Sequence, residues 1–281
     1  MGSYEIMISF RRNSDSISKD DLRIRFAYNG SMRRTRESAR TLLDEAKLSA
    51  SIARTPDEVR AAQRLRHRVF AEEMQARLET TEEGLDADVY DPHCEHLLVR
   101  DGRTREVVGT YRILPADRAR RAGGFYSQTE FDLGAVAGLP GLVEIGRACV
   151  HPDYRNGAVI RLLWAGLTRY LLGHGYAFVI GCASMPAEPA RNVCAVQREL
   201  ARCHLSPAAW RVKPRVPFPL REEPGEFDLV LPPLIKGYAR LGAYVCGDPG
   251  WDVAFGTADF FMMLPLAQLK RRYAARLARA A

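Results

Sequence analysis

Apolar and polar positions along this chain fall into short segments of two different periods. LSASIA (48–53) alternates as a strand does. TPDEVRAAQRLRHRVFAEEM (55–74) instead spaces Val59, Ala62, Leu65, Val69 and Phe70 along one helical stripe. It opens with Thr55 as cap, Pro56 at the first helical position and Glu58 at the third, a capping box. EHLLVRDGRTREVVGTYRILP predicts a hairpin about Asp101-Gly102. LVEIGRACV predicts the next strand, and 157–172 a helix stopped by Gly173 and Gly175. YAFVIGCAS is an unbroken apolar run, as in a strand buried on both faces. AEPARNVCAVQRELARC and PPLIKGYARLG predict two more helices, and AYVCG and ADFFMML the last strands. The proline-rich HLSPAAWRVKPRVPFPLREEPGEF between them reads as a lid or binding loop. The order β-α-β-β-loop-β-α-β-α-β-β predicts one mixed α/β sheet flanked by helices.

The pattern changes at both ends of the chain. Residues 1–46 are polar and mixed in charge, which predicts a partly disordered extension before a domain over 47–264. Residues 265–281 read as a basic amphipathic helix, with Leu266, Leu269, Tyr273 and Leu277 on one stripe and Arg271, Arg272, Arg276 and Arg279 facing away. Lys270 and those four arginines hold much of the +7 net charge, so an acidic partner is implied. Nucleic acid, an anionic membrane and an acidic protein all qualify. A nucleic-acid-binding protein would carry its charge among aromatics on one face, so no nucleic acid is expected. The rest of the composition, 47% hydrophobic and 27% charged, is that of a soluble globular protein. Six cysteines without a C-x-x-C pair suit buried, reduced thiols. No signal peptide and no apolar run of about 20 residues is present. The expectation is a cytoplasmic protein, peripheral on the inner membrane face if the tail binds lipid.

EIGRACVHPDYRNGAVIRLLW (144–164) carries the chemistry. It passes from a strand through a polar, glycine-containing loop into a helix N-terminus, an arrangement suited to a phosphate. A Walker loop is excluded, since no Gly-Lys-Ser/Thr follows. His93, Cys94 and His96 lie close together, but no second cluster completes a zinc site, and no metal is expected. Ser184 lacks a G-x-S-x-G elbow and Cys182 an evident histidine, which leaves a buried thiol. Glu144 and Arg147 interrupt an apolar strand, where charge is rarely buried without a task or a partner. An ion-pair network is the alternative reading. In a regular strand these two point to opposite faces, so serving one site requires a bulge near Gly146.

In order, RLRHRVFAEEM, DADVYDPHCEHLLV, VVGTYRILP, GGFYSQTEFDL and VEIGRACVHPDYRNG resemble the acyltransferases of GNAT fold that use acyl carrier protein. Arg66, Phe70, Asp88, Asp91, Arg112, Glu144 and Arg147 stand where acyl-homoserine lactone synthases carry their motif residues. CVHPDYRNGAVIRLLWAGL, YAFVIGCASM, LPPLIKGYARLGAYVCGDPGWD and TADFFMMLPL are more similar to the ornithine lipid N-acyltransferases. The resemblance covers roughly 47–275. It departs at the phosphate loop: Ala158 and Ile160 stand where GNAT acetyltransferases carry small residues that grip coenzyme A. Such a loop fits the single phosphodiester of a carrier protein's phosphopantetheine.

The resemblance implies transfer of a 3-hydroxylated acyl chain from acyl carrier protein to the α-amine of L-ornithine, with no bound cofactor. Another N-acyl amino acid or acyl-homoserine lactone synthase is the alternative. Glu144 is the candidate base, directly or through water. Backbone N–H groups around Cys149 and Val150 would meet the oxyanion, beside Arg147. Arg66, Arg112 and Arg147, with Phe70, Asp88 and Asp91, form the acceptor site, either holding its carboxylate or ordering the two aspartates. Arg155, Asn156, Gly157 and Ala158 would hold the phosphopantetheine phosphate.

Overall fold

The computed structural model describes residues 48–78, 80, 82–220 and 231–269. The readings for 1–46 and for the tail from Lys270 onward lie outside the described residues.

Strands β1 (Leu48–Ile52), β2 (Glu95–Asp101), β3 (Val107–Pro115), β5 (Leu142–Val150), β6 (Phe178–Pro186), β10 (Thr257–Pro265) and β8 (Tyr244–Val245) form a mixed sheet in that order, with β9 (Gly250–Asp252) also on β10. β3 and β10 are buried at every position, which is why VVGTYRILP and TADFFMMLP read as continuous apolar runs. All neighbours are antiparallel except β5 and β6.

That one parallel contact is short. It joins Leu142 to Phe178, Val143 to Val179 and Glu144 to Ile180, and there the strands part. From Ile145 to Val150 the edge of β5 toward β6 has no strand partner among the described residues. Gly181 sits at the apex, where a side chain would run into the Ile145 carbonyl. The result is a fork in the middle of the sheet.

Helices α3 (Ala158–Gly173), α4 (Ala190–His204) and α5 (Pro233–Leu241) pack on one face. Val159, Leu163, Leu167, Val196, Leu200 and Ile235 meet Leu97, Tyr111, Ile113, Val143 and Ile145 there in the largest apolar cluster. On the other face, α1 (Pro56–His67) buries Ala62 and Leu65 against Leu98, Val107 and Cys149. Its Thr55 cap accepts the N–H of Glu58 at 3.3 Å. The box departs from the expected form, since Glu58 returns to the N–H of Arg54 at 2.6 Å, not to that of Thr55. A π-helical turn, Arg68–Glu73, prolongs α1 and turns Val69 and Phe70 inward.

The connection from β3 to β5 is structured. It holds α2 (Ala116–Arg121), a 3-10 turn at Tyr126–Thr129 and β4 (Phe131–Asp132). β4 pairs with β7 (Lys213–Pro214) from the proline-rich stretch. Trp210 of that stretch packs edge-on against Phe178, so its first half covers this part of the sheet. Its residues 221–230 lie outside the described residues. No helix among the described residues is long and apolar enough to cross a membrane. Leu266 and Leu269, which open the expected tail stripe, are both buried in the main apolar cluster.

Candidate active site

The segment LDADVYD supplies three carboxylates, and its own turn arranges them. Asp88 Oδ1 accepts the N–H groups of Tyr90 at 2.9 Å and Asp91 at 3.2 Å, an Asx turn leading into the 3-10 turn Asp91–His93. Arg66, on the inward face of α1, is 0% exposed and forms a two-pronged pair with Asp91, at 3.0 and 2.6 Å. It also donates to the Asp86 carbonyl and pairs with the Asp86 carboxylate at 2.9 Å. Arg112, from β3, meets both Asp88 oxygens at 2.6 Å and Asp91 at 3.2 Å. Burial alone would push the Asp91 carboxyl up, but Arg66 and then Arg112 hold it well below the usual range. Of the two readings for the arginines, Arg66 and Arg112 are therefore occupied in ordering the aspartates.

Arg147 is held differently. Thr110 faces Cys149 and Arg112 faces Gly146, so β5 carries one extra residue against β3. That bulge is the one required near Gly146, and Arg147 occupies it at φ +48°, a left-handed conformation rare outside glycine. It turns the side chain toward the Glu144 face. The guanidinium lies 4.7 Å from the Tyr126 ring, 4.9 Å from Phe255 and 6.0 Å from Phe70. Its nearest carboxylate contacts are longer, 3.5 Å to Asp86 and 3.7 Å to Asp88, and its side chain keeps 13% exposure.

Glu144 lies beneath this group, 4% exposed. Its oxygens accept the backbone N–H groups of Tyr126 at 2.7 Å and Ser127 at 2.8 Å. Burial pushes its carboxyl up, and the bonds from Ser127 and Tyr126 oppose that. Glu144 thus anchors the 3-10 turn whose Tyr126 ring covers Arg147.

The other expected residues lie farther along β5. Cys149 is buried against α1, and burial pushes its thiol up to about 12. Val150 ends the strand, and its carbonyl accepts from Arg155 Nε at 3.1 Å. Arg155 also forms a two-pronged pair with Glu73 at 2.6 and 2.7 Å. Asn156 Oδ1 caps the N–H of Ala158 at 3.0 Å, and Gly157, at φ +93°, makes the turn into α3. Cys94 is buried in an apolar cluster, and His96 Nε2 lies 3.3 Å from the Asp91 carbonyl, so DPHCEH does not converge on an ion.

Several residues of this site escaped the sequence reading. Asp86 is one, and Tyr126 another. A third group, Glu130, Cys182 and Asp259, holds its acceptor atoms within 4.8 Å of one another. Asp259 interrupts an apolar strand just as Glu144 does, and that signal was available.

The Acetyltransferase (GNAT) domain family matches residues 65–165. An L-ornithine N(alpha)-acyltransferase of Rhizobium meliloti (strain 1021) is 38% identical over 247 residues, covering 81% of this chain and 83% of that protein. One of Agrobacterium fabrum is 39% identical over 250 residues, covering 80% and 83%. Among solved structures, the CoA-dependent acyl-homoserine lactone synthase BjaI with MTA is similar at a TM-score of 0.48 and 20% identity, covering 76% of this chain and 80% of that one. With the mixed sheet and flanking helices already described, these relatives settle the family: the chain belongs to the L-ornithine N(alpha)-acyltransferases, on a GNAT fold.

Proposed function

We propose that this protein transfers a 3-hydroxyacyl chain from acyl carrier protein to the α-amine of L-ornithine, giving lyso-ornithine lipid. Kinship with relatives named for L-ornithine acyl transfer supports the acceptor. The observation that carries the reading is the fork. One side of it presents Arg147 and Glu144, and the other opens on a narrow apolar cleft of about 40 Å³. Ile145 and Gly181 line that cleft at the fork, and Trp164, Leu171, Tyr238 and Met262 line it beyond. A long acyl chain enters there by parting these apolar side chains, with its thioester carbonyl at the unpaired edge of β5.

Each residue then has a task. Arg147 takes the α-carboxylate of the acceptor. An α-amine with a pKa of about 8 is largely protonated at neutral pH and must lose a proton before it attacks. Glu144 receives that proton through water, because the carboxylate is buried and both its oxygens already accept N–H bonds. N–H groups around Cys149 and Val150 stabilise the oxyanion. Arg155 exchanges Glu73 for the donor phosphate beside Asn156, Gly157 and Ala158. The phosphopantetheine thiol leaves, and no covalent acyl-enzyme is required. The basic residues of 270–281 attract the acidic carrier protein or the anionic membrane that receives the product.

Expression in a host without ornithine lipids, followed by mass spectrometry of its lipid extract, tests this reading. A new 3-hydroxyacyl-ornithine is expected. An acyl conjugate of another amino acid would favour a different N-acyl amino acid synthase, and an acyl-homoserine lactone would favour that branch.

A further inference from the structure

Two carboxylates, Glu130 and Asp259, form no ion pair among the described residues. Asp259 belongs to β10, where it pairs with Ser184, while Phe261 pairs with Cys182. Strand alternation puts Asp259, Ser184 and Cys182 on the face that carries Glu144, since Glu144 pairs with Ile180, two residues before Cys182. Glu130 reaches the same place from the end of the 3-10 turn that Glu144 anchors. The acceptor atoms of Glu130, Cys182 and Asp259 all lie within 4.8 Å of one another.

This is not a solvated acidic patch. Asp259 is 4% exposed; its Oδ1 accepts the Thr257 hydroxyl at 2.9 Å, and Ser184 and the Glu130 carboxyl bond to it as well. Glu130 Oε2 is out of solvent and receives no hydrogen bond. Asp252 adds a third negative charge nearby. Burial, and then their mutual repulsion, pushes the Glu130 carboxyl well above its ordinary range. Burial likewise raises that of Asp259. A buried acceptor without a donor is costly, and two facing carboxylates call for a cation that donates to both.

We propose that Glu130 and Asp259 form the pocket for the side-chain ammonium of the acceptor, which makes the site select a dibasic amino acid. An ammonium has three donors and a positive charge, enough for both carboxylates and the Ser184 hydroxyl. The placement suits ornithine. The Tyr126 ring covers Arg147, and its hydroxyl feels the charges of Glu130 and Asp252. An acceptor that reaches from Arg147 to this pair sets its α-carboxylate on the guanidinium and its side-chain ammonium between the carboxylates, with its α-amine toward the fork. Binding displaces the proton that the empty pair retains. A divalent cation, held by the thiol and two carboxylates, is the competing occupant.

The inference rests on the acyl-transfer reading and is tested apart from it by comparing L-ornithine with L-norvaline, which has the same carbon chain and no side-chain amine. Wild-type protein is assayed with both, with and without EDTA, beside Glu130→Gln and Asp259→Asn variants checked by circular dichroism. The wild type should favour ornithine strongly, unaffected by EDTA. Each variant should lower the ornithine-to-norvaline ratio of kcat/KM by about tenfold to a hundredfold, as expected for lost charged hydrogen bonds. If Asp259→Asn does not fold, the partly exposed Glu130 carries the test. An unchanged ratio in folded Glu130→Gln overturns the proposal. So does equal use of both amino acids by the wild type, or activity lost to EDTA and restored by a divalent cation. A wild type that acylates neither amino acid defeats the acyl-transfer reading instead.

Discussion

The guanidinium of Arg147 lies 4.7 Å from the centre of the Tyr126 ring, and the Tyr126 N–H is donated to Glu144 at 2.7 Å. Through that one tyrosine, the guanidinium and the buried carboxylate are positioned together. A disturbance of either is felt by the other.

Arg147 occupies a strained backbone position and has the weakest ion pairs of the three buried arginines, a combination that marks function more than stability. Arg147→Ala should raise the KM for the amino acid about tenfold to a hundredfold, with the KM for the acyl donor little changed. Arg147→Lys should not restore it, because an ammonium lacks the planar fork. Steady-state kinetics with each substrate varied in turn checks this.

Glu144→Gln should fold and lose about two orders of magnitude or more in kcat, the usual weight of general base catalysis. Burial raises the Glu144 carboxyl, and the base must be ionised. Wild-type activity should thus fall with decreasing pH at a higher pH than an ordinary carboxylate of 4.5 would give. The glutamine variant should lack that limb. A variant with near-normal turnover at neutral pH would leave Glu144 only its role of anchoring Tyr126 and Ser127.

Arg66 and Asp91 are 1% and 4% exposed at their side chains and bonded by two contacts. Arg66→Met should destabilise the fold by about 3–5 kcal/mol, because it strands a buried carboxylate. Asp91 is held below its ordinary value of 3.8, so its contribution is present above that pH and is lost as the pH falls through the lowered value. Denaturant midpoints at neutral and acid pH check both statements.

Glu130 and Asp259 predict the opposite dependence. Their folded values are raised above the ordinary 4.5 and 3.8, so the native protein binds more protons and loses stability as the pH rises through the raised values. Glu130→Gln should therefore melt higher than wild type at pH 8 without substrate, and the difference should vanish near pH 4. Thermal melts at the two pH values measure it.

Hydrophobic periodicity made the architecture legible. Thr55, the Asp101-Gly102 turn and the unbroken runs of β6 and β10 each specify an element locally. Glu144 and Arg147 were legible for the same reason, as charges in an apolar strand, and the bulge that unites them followed from the period of two. The Tyr126 platform was not legible, because a 3-10 turn of YSQT has no periodic signature. Asp259 was legible as another charge in an apolar strand, but its approach to Glu130 was not, since Glu130 arrives from the end of the distant 3-10 turn. In the tail, spacing put Leu266 and Leu269 on one apolar stripe, but only the sheet could show that they are used in the core.

The central claim is acyl transfer to one particular nitrogen. Purified protein should be given 3-hydroxyacyl carrier protein or the matching acyl-coenzyme A, together with L-ornithine labelled with ¹⁵N at the α-position, and the product fragmented in a mass spectrometer. The account predicts an amide on the labelled nitrogen and a much higher kcat/KM for the carrier-protein donor. Acylation of the unlabelled side-chain nitrogen, or no amide from either donor, would contradict it.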